Sequence, residues 1–216
     1  MVTMRLSRII VGLVCVGLCS TAMLLAQSMG RRLDSSAPIS YYVSAGDTAS
    51  GFVAGDRQLA VWALDQWQKA SGGTLLRFMP TAESDATVRV YWADARAGQY
   101  GEMRPLVVNG RPGAAVFIHP DLRALGPDIA ARAAGDPLWR DTIVFLTCVH
   151  ELGHAIGLTY TDNFRDIMYS FQYGGDFVEY FERYRRQLKS RADIPALSVP
   201  AADETAQLRS LYDARP

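Results

Sequence analysis

Apolar residues change their spacing repeatedly along this chain, and each change predicts an element. Ile9 to Ala26 is an almost unbroken apolar run without the stripe of an amphipathic helix. Ile39-Ser40-Tyr41-Tyr42-Val43 reads as a short strand, ended by turn residues around Gly46 and Asp47. From Arg57 to Ala70, the residues Leu59, Ala60, Ala63, Leu64 and Trp67 share one helical face, with Asp56 as N-cap and Ser71-Gly72-Gly73 as the stop. A second strand starts over 75–78. A third covers 86–92, where Val88, Val90 and Trp92 alternate with Thr87, Arg89 and Tyr91. Asn109-Gly110 predicts a two-residue hairpin that joins 105–108 to 114–119. Ile143, Val144, Phe145, Leu146, Val149, Leu152 and Ile156 cover more than one face of a helix capped by Asp141 and Thr142, which predicts burial in the core. Phe177 to Lys189 is a further helix, with Arg183, Arg185, Arg186 and Lys189 expected on its solvated side. Pro195 and Pro200 mark a linker, and Asp203 caps a last helix bearing Leu208, Leu211 and Tyr212.

The buried helix carries His150-Glu151-Leu152-Gly153-His154. Residues four apart on a helix project from one face. Both imidazoles can therefore hold one metal ion, and a glutamate between them completes the zincin signature. Catalytic zinc takes three protein ligands and keeps a fourth position for water. Glu151 is turned about a hundred degrees from His150, so it can lean toward that water without ligating the metal, as a general base does. Gly157 suits a sharp helix end, because a left-handed residue there costs glycine little and lets the chain swing back.

Across residues 142–170 the chain resembles the metzincin clan, and within it the matrixin family. The resemblance is carried by the HExxHxxG run from His150 through Gly157 and by Met168 in Asp166-Ile167-Met168-Tyr169, at the place of the clan's methionine turn. It implies an α+β catalytic domain: a twisted, mostly parallel sheet with an antiparallel edge strand, an active-site helix, a methionine turn and C-terminal helices. It also implies a bound Zn2+, with His150 and His154 as ligands, Glu151 as catalytic base and Met168 as support beneath the metal. The clan's third histidine falls at Tyr160. Tyr160 as a phenolate, Asp162 as a carboxylate, or no third ligand are the alternatives. A phenol with a pKa near 10 loses its proton at neutral pH only at a cost of roughly 4 kcal/mol, which the metal must offset. Two functions follow: a zinc-dependent metalloendopeptidase, or a degenerate relative that binds peptides or proteins in the same cleft. Glu151 favours the enzyme, since a binding module has little use for a base there. A structural zinc site is disfavoured because such sites close with four protein ligands. By resemblance, strand 114–118 is the sheet edge along which an extended peptide or protein substrate would add, and 170–175 lines the pocket beyond the cleaved bond. Residues 94–113 resemble a loop that holds structural calcium and zinc, but they carry few ligands, and those sites are not expected.

Arg5 and Arg8 precede the first apolar run, and Arg31 and Arg32 follow it, as in a secretory signal. Ser20 and Ala22 suit cleavage after Ala22, while a run of about 18 to 21 residues also reaches the length of a membrane span. Residues 1–32 are therefore read as a signal peptide or membrane anchor, and the protein as exported, either secreted or membrane-anchored. Residues 33–216 are enough for one domain, with an extra helix at 177–190 and a terminal helix at 203–213. Arginine and lysine total 22, as do aspartate and glutamate, so nothing points to a nucleic-acid partner. Cys148 is the one cysteine outside the apolar run, so it has no intramolecular disulfide partner there and reads as a small buried hydrophobe. His119, the remaining histidine, is expected at the surface or hydrogen-bonded, and Trp62 and Trp67 in the core.

Overall fold

The computed structural model describes residues 31–94 and 100–213. The expected signal or anchor segment thus lies outside the described residues, save for Arg31 and Arg32. No helix among the described residues is long and apolar enough to cross a membrane.

Five strands form one sheet: β1 Ile39–Val43, β2 Phe78–Pro80, β3 Val88–Trp92, β4 Gly101–Val108 and β5 Arg111–Ile118. Their order is β2-β1-β3-β5-β4. β1 runs parallel to β2 and β3, β3 parallel to β5, and only β4 is antiparallel. The fold is α+β, with a mostly parallel sheet and an antiparallel edge, as expected. The identity of that edge differs from expectation. Strand 114–118 is internal, with Val88–Trp92 paired on one side, from Val88↔Ala114 to Trp92↔Ile118, and β4 on the other. The hairpin makes β4 and β5 neighbours, and the pairing of β5 with β3 decides which of them is the edge. Asn109 and Gly110 take φ of 50° and 76°, and two left-handed residues turn a strand straight back on its neighbour. Once β3 occupies the far side of β5, β4 is left outside.

Among the described residues five α-helices accompany the sheet: α1 Asp56–Ala70, α2 Pro127–Gly135, α3 Pro137–Ala155, α4 Phe177–Arg185 and α5 Ala202–Asp213. Helix α3 is the axle, in contact with α1, α2, α4, β4 and β5. From Thr142 to Ala155 all its residues are buried. Trp67, fully buried as expected, donates its indole N–H to the Val149 carbonyl at 2.8 Å and so ties α1 to α3. Two expected caps do other work. α3 begins earlier than expected, at Pro137, where Asp136 accepts from the Trp139 N–H at 3.0 Å. Asp141 instead pairs with Arg191 at 2.8 Å. Asp56 opens α1 without capping it. Its fully buried carboxylate binds the Arg140 guanidinium at 2.5 and 2.9 Å, and long-range charge pairing takes precedence over the local role. Cys148 is buried and free, as expected.

Candidate metal centre

His150, Glu151 and His154 occupy the last two turns of α3 and are all buried. The helix then stops as the sequence requires: Gly157 has φ of 101°, and the Leu158 N–H reaches back to the Gly153 carbonyl at 2.9 Å. The returning chain meets the segment after Met168 in a two-sided bridge. Thr161 N–H donates to Met168 O at 2.9 Å, and Ser170 N–H to Thr161 O at 3.2 Å. That bridge places Tyr160 beside both histidines, with ring centroids 4.4 Å from His154 and 5.6 Å from His150. The two imidazoles themselves lie 4.8 Å apart and nearly perpendicular. Asp162 is exposed and does not line the cavity that these rings share. Among the described residues no three His, Cys, Asp or Glu side chains gather closely enough to share a metal ion. Of the two residues considered as third ligand, Tyr160 is the one beside the pair.

Both imidazoles are oriented by backbone carbonyls. His150 Nδ1 lies 2.6 Å from Ile167 O, and His154 Nδ1 lies 3.0 Å from Leu158 O. A carbonyl only accepts, so each ring carries its proton on Nδ1 and keeps a lone pair on Nε2. The His154 Nε2 is buried without a partner. Buried polar atoms are seldom left so, and a buried acceptor beside a second imidazole fits a metal ion. Burial pushes the His150 pKa down to about 3, with His154 adding to the shift, and burial also lowers His154. Both rings are therefore held in the neutral, metal-binding form.

Glu151 faces the same cavity, of about 200 Å³. Burial, reinforced by the charge of Glu102, raises its pKa to about 8. A cation beside it would act in the opposite sense. The carboxyl packs against the start of β4, where a side chain on Gly101 would come within 2.7 Å of it. Tyr160 is pushed up to about 12, chiefly by burial and then by Glu151. Met168 is fully buried beneath the helix. A Cβ on Gly153 would lie 2.3 Å from its sulfur, so the residue between the two histidines must be small. His119 is hydrogen-bonded through Nδ1 to Asp94 O, as expected, although buried and away from the cavity.

Sequence reasoning missed two residues near the site. Glu204 is buried and receives the Met168 N–H at 2.7 Å and the Ala201 N–H at 2.8 Å, clamping the methionine turn to α5. Its signal was present: Glu204, Leu208 and Tyr212 share one face at four-residue spacing, an acid on an apolar stripe. Tyr100 lines the cavity wall, edge-on to Phe171, Phe177 and Phe181, and nothing local in the sequence announces it. No family model matches this chain, and no curated protein matches it.

Proposed function

We propose that the chain is an exported, zinc-dependent metalloendopeptidase of the metzincin clan, matrixin-like, with Tyr160 in place of the third histidine. The observation that carries the reading is the pair of carbonyl-locked imidazoles, with the Nε2 of His154 buried without a partner, next to a buried glutamate in one cavity. His150, His154 and Tyr160 would hold the metal. Zinc, when bound, supplies a Lewis acid that acidifies water and polarises a carbonyl. Glu151 takes the proton from the attacking water and later delivers it to the leaving amine. Met168 fills the space beneath the histidines. A peptide substrate would lie extended along β4, which among the described residues has a sheet neighbour on one side only and whose Met103 reaches the cavity. Residues 1–32 would export the protein or hold it at a membrane.

One observation favours the rival, a degenerate protein that binds peptides or proteins in the same cleft: the Tyr160 hydroxyl is a harder proton to remove than that of a free phenol. Zinc content and peptide hydrolysis of the full chain, wild type beside Glu151→Gln, decide between them. The peptidase reading expects equimolar zinc in both proteins and hydrolysis only in the wild type. A wild type that holds no zinc and cleaves nothing establishes the binding module, and turnover retained by Glu151→Gln removes the base from its role.

A further inference from the structure

Between Tyr160 and Met168 the chain forms a loop whose carbonyl oxygens are taken by α4. Arg183 donates from Nη1 to Phe164 O and from Nη2 to Arg165 O, the latter at 3.0 Å. Tyr180, three residues earlier on the same helix, donates its hydroxyl to Asp166 O at 2.7 Å and lies 3.5 Å from Ile167 O. The Arg183 guanidinium sits over the Tyr180 ring, 4.2 Å from its centroid, so the two side chains hold each other in place. Three successive carbonyls are thus captured by two residues of one helix face. The next carbonyl, Ile167 O, is the acceptor that orients His150.

We infer that Tyr180 and Arg183 are positioning residues for the metal centre. By holding carbonyls 164 to 166, they fix the Ile167 carbonyl and, through it, the tautomer and tilt of the His150 ring. Tyr180 is almost wholly buried, so water does not replace its hydroxyl if it is removed. Without the brace the loop keeps its own turn, with the Asp166 N–H on Asn163 O and the Asn163 side chain on the Arg165 N–H and the Asp166 carboxylate, and the Met168 N–H on Glu204, but carbonyls 164 to 166 lose the donors that hold them. A small shift there breaks the His150 bond, because that bond depends on one carbonyl. The effect on metal affinity rests on the peptidase reading; the effect on the tautomer does not.

The test uses the full chain, with Tyr180→Phe, Arg183→Gln and, as a control, Arg186→Gln, whose side chain is largely exposed. Zinc affinity is measured against a competing chelator. The protonation of the imidazole nitrogens is read by proton–nitrogen NMR on the metal-free protein, where three histidines give a simple spectrum. Loss of an outer partner of a metal-ligating histidine weakens binding by about tenfold to a hundredfold, and both brace variants are expected in that range while the control matches wild type. The NMR should show the His150 Nδ1–H weakened or lost in both variants. A merely structural role would lower thermal stability and leave these readouts alone, so affinity within about threefold of wild type in both variants, set against that expected range, overturns the inference. If the wild type binds no zinc, the peptidase reading falls, and the NMR alone decides: an unchanged His150 signal sinks the brace.

Discussion

If Tyr160 ligates zinc as a phenolate, binding must expel a proton that no histidine ligand would release. An ordinary phenol costs roughly 4 kcal/mol to ionise at neutral pH. With Tyr160 raised to about 12 the cost approaches about 7 kcal/mol. The ring is 36% exposed, so solvent screening draws the figure toward the lower end. Either cost is charged to metal affinity, and it shrinks as pH rises. Zinc affinity of the wild type should therefore gain about one more power of ten per pH unit, between pH 6 and 8, than that of Tyr160→Phe. Comparing the two proteins cancels any proton that Glu151 contributes. Calorimetric titration in two buffers of different ionisation enthalpy counts the proton directly. Tyr160→His should bind zinc more tightly than wild type at pH 6 and lose that advantage as pH rises. Equal proton release and equal affinity in wild type and Tyr160→Phe would refute phenolate ligation.

Gly153→Ala would press a methyl carbon to 2.3 Å from the Met168 sulfur and 2.9 Å from the Trp67 ring. Denaturant unfolding should show a loss of about 1–3 kcal/mol, the usual range for overpacking. Asp56→Ala strands the Arg140 guanidinium, which keeps only the Asp141 carboxylate at 3.2 Å and a carbonyl. The expected loss is about 3 kcal/mol, the lower end for a broken buried pair, and an unchanged unfolding midpoint would contradict it. The metal-free protein should also be stable in a bounded pH range. His150 has a depressed folded pKa, so its contribution is present above about 6.5 and is lost as pH falls toward about 3. Glu151 is raised, so its contribution is full below about 4.5 and is lost as pH rises through about 8. Unfolding measured from pH 6.5 to 9 should show a decline that Glu151→Gln removes.

The parts of the site that were legible in the sequence are those fixed by local geometry. His150 and His154 share a face because four residues nearly complete a turn, and Gly157 ends the helix because its backbone is left-handed there. The methionine turn was likewise a local pattern. What escaped depended on partners distant in sequence. Nothing within 105–119 tells which hairpin strand meets β3, yet that pairing decides the edge. Asp56 has the form of an N-cap, but its partner Arg140 lies 84 residues away. The cap of α3 is a different case. Asp136 before Pro137 is a standard helix start, but the apolar periodicity becomes clear only at Ile143, and a start matched to that periodicity falls at Asp141. Arg183 belongs to a run of cations that reads as a solvated face. It turns inward because the loop before Met168 has carbonyls to satisfy and supplies few donors of its own.

If Tyr160 ligates zinc as a phenolate in a working peptidase, the same charge should also set the pH range of turnover. His150 and His154 are oriented by neutral carbonyls rather than carboxylates, so the anions that line the cavity among the described residues are Tyr160, once ionised, Glu151, and Glu102 in its pair with Arg104. A histidine in place of Tyr160 would leave one more net positive charge beside the attacking water. Positive charge lowers the pKa of that water, and negative charge raises it. An ionised Tyr160 would therefore trade acidifying power for a tighter electrostatic hold on the metal, once its proton has been removed. In pH profiles of kcat/KM, the acidic limb of the wild type should lie at higher pH than that of Tyr160→His, by about a unit, the scale of one charge at close range. Both profiles are taken with zinc saturating, which separates this effect from the pH dependence of binding. Coincident limbs would mean that Tyr160 stays a neutral phenol during turnover, beside the metal without ligating it as an anion.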